Sequence, residues 1–420
     1  MMEKATPIRP VPPVRSMSRA WIGRYSLAWL GLWMAYLVPQ QFALPDQLAR
    51  VDPADRIADF GVINAVCGVV ALVTLPLFGT LCDRTRSRYG RRRLWIAGGA
   101  ALFAGGLVVT GLQSGWIGIG LSWLVCSTGF SMATVGFTAL VADQVPETQR
   151  ATVSSAMFGP QAIGMVLGLS CLTAIPSDLP RYLLLGAGVL VLAAPFVLKH
   201  RDTATPWPDG SDSLAAPRSD GSDSLRELVA SVRDNPAFAW TFGTRMLINL
   251  ANALATSYML YFITDRLRVA DPDQELLLLT MVNLGLTLVS VYVCGVLSDR
   301  LGRRRAFVAW GATSQAMGCA ILAIAPGAGT ALVAASLFGV GIGAYLSVDQ
   351  AIITKVLPAA ENRARDLGLM NIGLFGPQTL GPLLASLVIG ALGGYEVLFA
   401  LAGSTSLIGG LLIYRVSSVR

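Results

Sequence analysis

Between residues 22 and 414 the chain is a nearly continuous series of apolar segments, each long enough to cross a bilayer as a helix. A hydrocarbon core takes about 20 helical residues or about 10 strand residues, and inside it every backbone N–H and C=O must be paired within a helix or a closed barrel. The runs have helical length. They fall at 22–44, 59–82, 94–113, 116–142, 149–175, 181–199, 237–264, 275–297, 306–325, 330–356, 365–391 and 395–414, six on either side of a polar interruption. The expected fold class is therefore an all-α polytopic membrane protein of twelve transmembrane helices in two six-helix bundles. Composition agrees, with 14% charged and 54% hydrophobic residues and a mean hydropathy of +0.59.

Basic residues concentrate on the cytoplasmic side of short loops. With the N-terminus inside, 26 of the 32 basic residues lie in cytoplasmic segments or helix ends. Arg50, Arg56, Arg181, Arg266 and Arg268 then lie outside, and Arg245 lies within a span. Both termini are expected in the cytoplasm, and the net charge of +7 reflects topology instead of a nucleic-acid surface. An excess of 29 Arg over 3 Lys suggests a GC-rich bacterial genome, hence a bacterial cell membrane. Residues 1–20, with Pro7, Pro10, Pro12 and Pro13, are expected as a flexible cytoplasmic tail, 21–199 and 237–420 as the two bundles, and 200–236 as a disordered cytoplasmic linker. The six cysteines form no CxxC pair and are expected as apolar fillers, with no metal or cofactor implied.

The two bundles carry the same landmarks in the same order. Gly79, Asp83 and Arg84, followed by Gly90, Arg91 and Arg92, correspond to Gly295, Asp299 and Arg300, followed by Gly302, Arg303 and Arg304. Val145-Pro146 matches Leu357-Pro358, and Phe158-Gly159-Pro160-Gln161 matches Phe375-Gly376-Pro377-Gln378. The basic loop between spans 2 and 3, and again between spans 8 and 9, resembles the signature of the major facilitator superfamily, Gly-x-x-x-Asp-Arg/Lys-x-Gly-Arg/Lys-Arg/Lys. The second copy fits without change. In the first copy Thr85-Arg86-Ser87-Arg88-Tyr89 stands where one residue is usual, and this longer form is similar to sucrose-type and glycoside-type sugar transporters. The resemblance covers the whole chain. It implies a secondary transporter of a small organic solute working by alternating access, with spans 1, 4, 7 and 10 lining the cavity and no enzymatic activity.

In these loops the glycines permit tight turns and the arginines sit at headgroup level. Asp83 and Asp299 can bond to a neighbouring helix or to arginine, so the twelve residues named above are read as a conformational latch; plain topological anchoring explains the arginines alone. In span 7, Thr241, Arg245, Asn249, Asn252 and Thr256 fall within an arc of about 80°, so one face is wet or paired. Asp349 lies at similar depth in span 10, and a lone carboxylate there would cost several kcal/mol. The resemblance brings spans 7 and 10 together, which makes an Arg245–Asp349 pair an expectation and Asp349 the proton-coupling candidate. A permanent structural ion pair is the competing reading.

Span 1 carries an aromatic stripe, Trp21, Tyr25, Trp29, Trp33 and Tyr36, ending at Gln40. Trp21 and Tyr25 are expected as an interfacial belt. Trp29, Trp33, Tyr36 and Gln40 join Arg245, Asn249, Asn252, Gln161 and Gln378 as candidate cavity residues, with ordinary packing the alternative. Pro160 and Pro377 are expected to kink spans 5 and 11. Substrate and direction stay open between a sugar or glycoside symporter and a proton-driven exporter of drugs or amphipathic metabolites. The expected partners are the small-molecule substrate, protons and the lipid bilayer, with a monomer as the working unit. More distant alternatives are a non-transporting receptor and a prenyltransferase-like enzyme using Asp52, Asp55 and Asp59; capping by Asp59 and solvated loop charge explain that triplet more simply.

Overall fold

The computed structural model describes residues 16–85, 87, 90–200, 235–324, 327–356 and 363–416, some helical positions by backbone alone. The expected tail at 1–20 lies mostly outside the described residues, and the linker at 200–236 almost entirely.

Apart from the ends of α1 and α7, the described helices match the apolar runs to within about a turn. They are α1 (Arg19–Val38), α2 (Arg56–Arg84), α3 (Arg91–Gly111), α4 (Trp116–Gln144), α5 (Glu147–Thr173), α6 (Asp178–Lys199), α7 (Pro236–Ser257), α8 (Pro272–Leu301), α9 (Arg304–Ile324), α10 (Ala328–Val356), α11 (Arg363–Leu387) and α12 (Gly394–Leu412). By length and composition, nine stretches among the described residues can cross a membrane, or ten if a bent pair in α7 counts as one. The aromatic-rich α1 is not among them, and α12 is counted together with the end of α11.

Two spans run on past the runs that mark them. α1 continues through a wide turn at Pro39–Ala43 into a further helix, Leu44–Val51. α7 breaks at Tyr258 with a bend of 46° and continues to Leu267. Just before that break, Thr256 and Ser257 donate to the carbonyls of Asn252 and Ala253 at 2.8 and 2.6 Å, the back-bonding that bends helices.

Packing repeats between the halves. In the first half α1 packs on α5 and α6, α4 on α2 and α3, and α3 on α6; in the second, α7 packs on α11 and α12, α10 on α8 and α9, and α9 on α12. The principal contacts between halves are also related by exchange, α2 with α11 and α5 with α8. Duplicated sequence thus becomes duplicated packing, with α1 and α7, α4 and α10 as paired elements; α1, α7 and α10 carry Trp29, Trp33, Tyr36, Arg245, Asn249, Asn252 and Asp349, while Gln161 lies on α5 and Gln378 on α11.

Candidate functional site

The polar face of α7 is largely self-satisfied. Thr241 donates to the carbonyl of Ala237 and Asn249 to that of Arg245, both at 2.8 Å. Arg245 is the exception: it is 1% exposed and its guanidinium bonds the Asp349 carboxylate of α10. The other carboxylate oxygen accepts from the Tyr345 hydroxyl at 2.8 Å, and Asn249 Nδ2 lies 3.4 Å from that hydroxyl. Among the described residues Arg245 Nε has no partner. Four side chains thus tie α7 to α10 through one carboxylate. Such a group can take up or release a proton if movement of the two helices parts it from the guanidinium.

The corresponding ground in the first half is aromatic. The repeats are 216 residues apart before the basic loop (Gly79 and Gly295) and 212 after it (Gly90 and Gly302), so Arg245 corresponds to Trp29 and Asp349 to Phe137. Those rings also touch, with centroids 5.4 Å apart. Trp29 is fully buried against Tyr25, Trp33 and Phe137. Trp33 is fixed by its indole N–H bonding the Met157 carbonyl of α5 at 2.9 Å, while Tyr36 is half-buried and stacks on Phe130 of α4 at 4.1 Å. Gln40 lies in the wide turn of α1; it, Gln161 and Asn252 are half-buried and Gln378 is exposed. Phe130, Phe137 and Tyr345 were not singled out from the sequence, because on their own helices they look like ordinary apolar residues.

Trp21 and Tyr25 do not form the expected belt. They are 8% and 1% exposed and pack on Phe196, and the Trp21 indole donates to His200 Nδ1 at 3.1 Å. The short loops bring α6 back over α1 at this end, so the rings are covered by protein.

On the face opposite both termini, the two halves are joined. Arg56 at the start of α2 bonds Asp265 beyond α7 and lies 5.2 Å over the Tyr261 ring, and Tyr395 donates to the same carboxylate at 2.8 Å. The Tyr258 hydroxyl reaches the carbonyls of Ile57 and Pro382 at 3.1 and 3.0 Å. Arg181 of α6 lies 3.9 Å from Asp273 of α8. Gly61 comes so close to α11 that a Cβ there would sit 2.2 Å from Ser386 Oγ. Asp59 does not cap α2. It lies inside the first turn, 7% exposed; among the described residues its Oδ2 has no partner and no cluster of three metal-ligating side chains occurs.

At the other face the two basic loops differ. Gly90 and Gly302 both adopt positive φ, +101° and +64°, which turns the chain between helices. In the first loop Arg92 and Arg91 hold Asp143 at the end of α4, at 2.8 and 3.0 Å, and Arg92 also donates to Cys82 Sγ at 3.0 Å. In the second, Arg304 lies 3.6 Å from Asp299 within the same loop and donates at 3.4 Å to the Ala351 carbonyl of α10. Arg84, Asp299, Arg300 and Arg303 are exposed, Gly79 and Gly295 partly so; the side chain of Asp83 lies outside the described set.

No curated protein matches this sequence. Among solved structures, nucleoside transporter NupG matches in its unmutated form and as a point mutant, each with a TM-score of 0.70 and 13% identity. The unmutated form covers 96% of this chain and 100% of its own, the mutant 94% and 99%; at that identity the likeness is one of fold. The family model of the Major Facilitator Superfamily matches residues 26–270 and 269–420, each match taking in one set of the repeated landmarks. With duplicated bundles, paired basic loops and a match over nearly the whole length, this chain belongs to the Major Facilitator Superfamily of membrane transporters.

Proposed function

We propose that this chain carries a small organic solute across a bacterial cell membrane by alternating access, as a monomer with both termini in the cytoplasm, and that a proton gradient drives it through Asp349. The observation that carries the reading is the Arg245–Asp349 contact between α7 and α10, closed by Tyr345 and Asn249. Contact with arginine favours the ionised carboxylate and loss of that contact the protonated one, and that difference is what couples helix movement to proton movement. The junction at Gly61, Tyr258 and Arg56 supports a state shut on the outer face. The basic loops would then act as the inner latch, re-forming when that face closes.

The experiment uses purified protein in liposomes with imposed proton gradients of either direction and labelled sugars, nucleosides and hydrophobic drugs; nucleosides enter because NupG is described as a nucleoside transporter. Accumulation driven by the gradient in wild type is expected to be lost in Asp349→Asn, while exchange of labelled for unlabelled solute persists. The gradient direction that drives accumulation distinguishes symport from antiport. Full pH coupling in Asp349→Asn would overturn the assignment.

A further inference from the structure

The first half presents a continuous surface of rings. Tyr36 of α1 and Phe130 of α4 lie nearly parallel, 9° apart with centroids at 4.1 Å; Trp33 is 5.6 Å from Phe130, and Phe158 of α5 is 6.3 Å from Trp33. Helix packing accounts for the ends of this array, since Trp29 and Trp123 are fully buried. It accounts only in part for the middle: Tyr36 stacks between Phe130 and Trp123, yet it and Phe130 keep part of their surface open, and Phe158 is 42% exposed on α5, which packs against α1 and against α8 of the other half.

Charge narrows what can lie there. Arg245 and Asp349 are the two charged residues seven or more positions from either end of their helices, and they are bonded to each other. While that pair is closed, a charged solute meets no unpaired counter-charge at that depth, and would be held there at a cost of several kcal/mol. Uncharged hydrogen-bonding groups are available instead: Gln40, Gln161, Asn252 and Gln378 are half-buried or exposed amides, each offering donors and an acceptor.

We propose that the cavity takes an uncharged solute bearing a planar ring, with the ring against Tyr36, Phe130 and Phe158. The inference rests on the transport reading for its cavity and adds the solute class. Ring stacking on such a surface favours offset-parallel or edge-on contact and discriminates against ringless solutes of equal polarity.

The test is equilibrium binding to the purified full chain in detergent. The probes are thymidine and phenyl β-glucoside, their charged counterparts thymidine monophosphate and phenyl β-glucuronide, and ringless mannitol. At least one neutral ring probe is expected to bind tenfold or more tightly than both its charged counterpart and mannitol. Phe130→Leu is expected to weaken that binding about fivefold while the variant still folds. If Phe130→Leu does not fold, the exposed Phe158→Leu serves the same purpose. Preference for a charged probe, equal binding of mannitol, affinity unchanged in the folded variants, or no binding of either neutral ring probe at millimolar concentration would each overturn the proposal. Ring-selective binding without flux in liposomes would sink the transport reading and leave this one standing. Proton-driven flux of a charged or ringless solute would do the reverse.

Discussion

The two halves share their helix pairing and differ in what fills equivalent places. Where the second half sets Arg245 against Asp349, the first sets Trp29 against Phe137. Either pair fills the gap between a first and a fourth helix of its bundle. The rings do it by dispersion and hydrophobic packing and respond to no proton, whereas the ion pair holds only while both charges are present. On the proposed reading the duplicated architecture divides its labour, with one bundle ring-lined and the other chemically switchable.

The comparison can be broken most forcefully at the ion pair. Asp349→Leu leaves Arg245 buried and unpaired, and should lower stability by about 3–5 kcal/mol, whereas Arg245→Met combined with Asp349→Leu should recover most of that loss. Chemical denaturation in detergent measures both; a double variant as unstable as the single one would mean that the pair is not a self-contained unit. On the aromatic side, Phe137→Ala should cost about 3 kcal/mol through the cavity it leaves, yet shift no pH dependence of flux. A shifted pH profile would erase the proposed division between the halves.

Smaller effects sharpen the picture at the two faces. Gly61→Val should disfavour the closed junction with α11 by about 1–3 kcal/mol, read as longer distances between spin labels at the Arg56 end of α2 and the Leu387 end of α11. Unchanged distances would show that the junction yields without parting. Asp143→Asn should cost about 1 kcal/mol or less, because two arginines lose their partner on α4. Asp299→Asn should leave the melting temperature unchanged, since the Asp299 carboxylate is itself exposed and its partner, Arg304, lies in the same loop. Equal losses in the two variants would make the loops equivalent after all.

Much of this molecule was legible in one dimension, for reasons of solvent. A bilayer requires long apolar runs and in-helix hydrogen bonding, so helix number, order and approximate ends follow from residue type, and the repeated loops reveal the duplication. Arg245 and Asp349 stood out because an ionisable group deep in a span needs a partner. Trp21 and Tyr25 misled, because a ring at a helix end looks the same whether lipid or a neighbouring helix covers it.

What the sequence by itself determined is thus the set of elements, their duplication and the chemistry held at depth, all of which depend on what each residue tolerates in hydrocarbon. The tertiary structure alone decided the partners. It set Tyr345 on the Asp349 carboxylate, Phe130 on Tyr36, Asp143 on Arg92 and Ser386 against Gly61. Those contacts join residues far apart in the chain through the rotation and tilt of whole helices, which no local pattern of residues encodes.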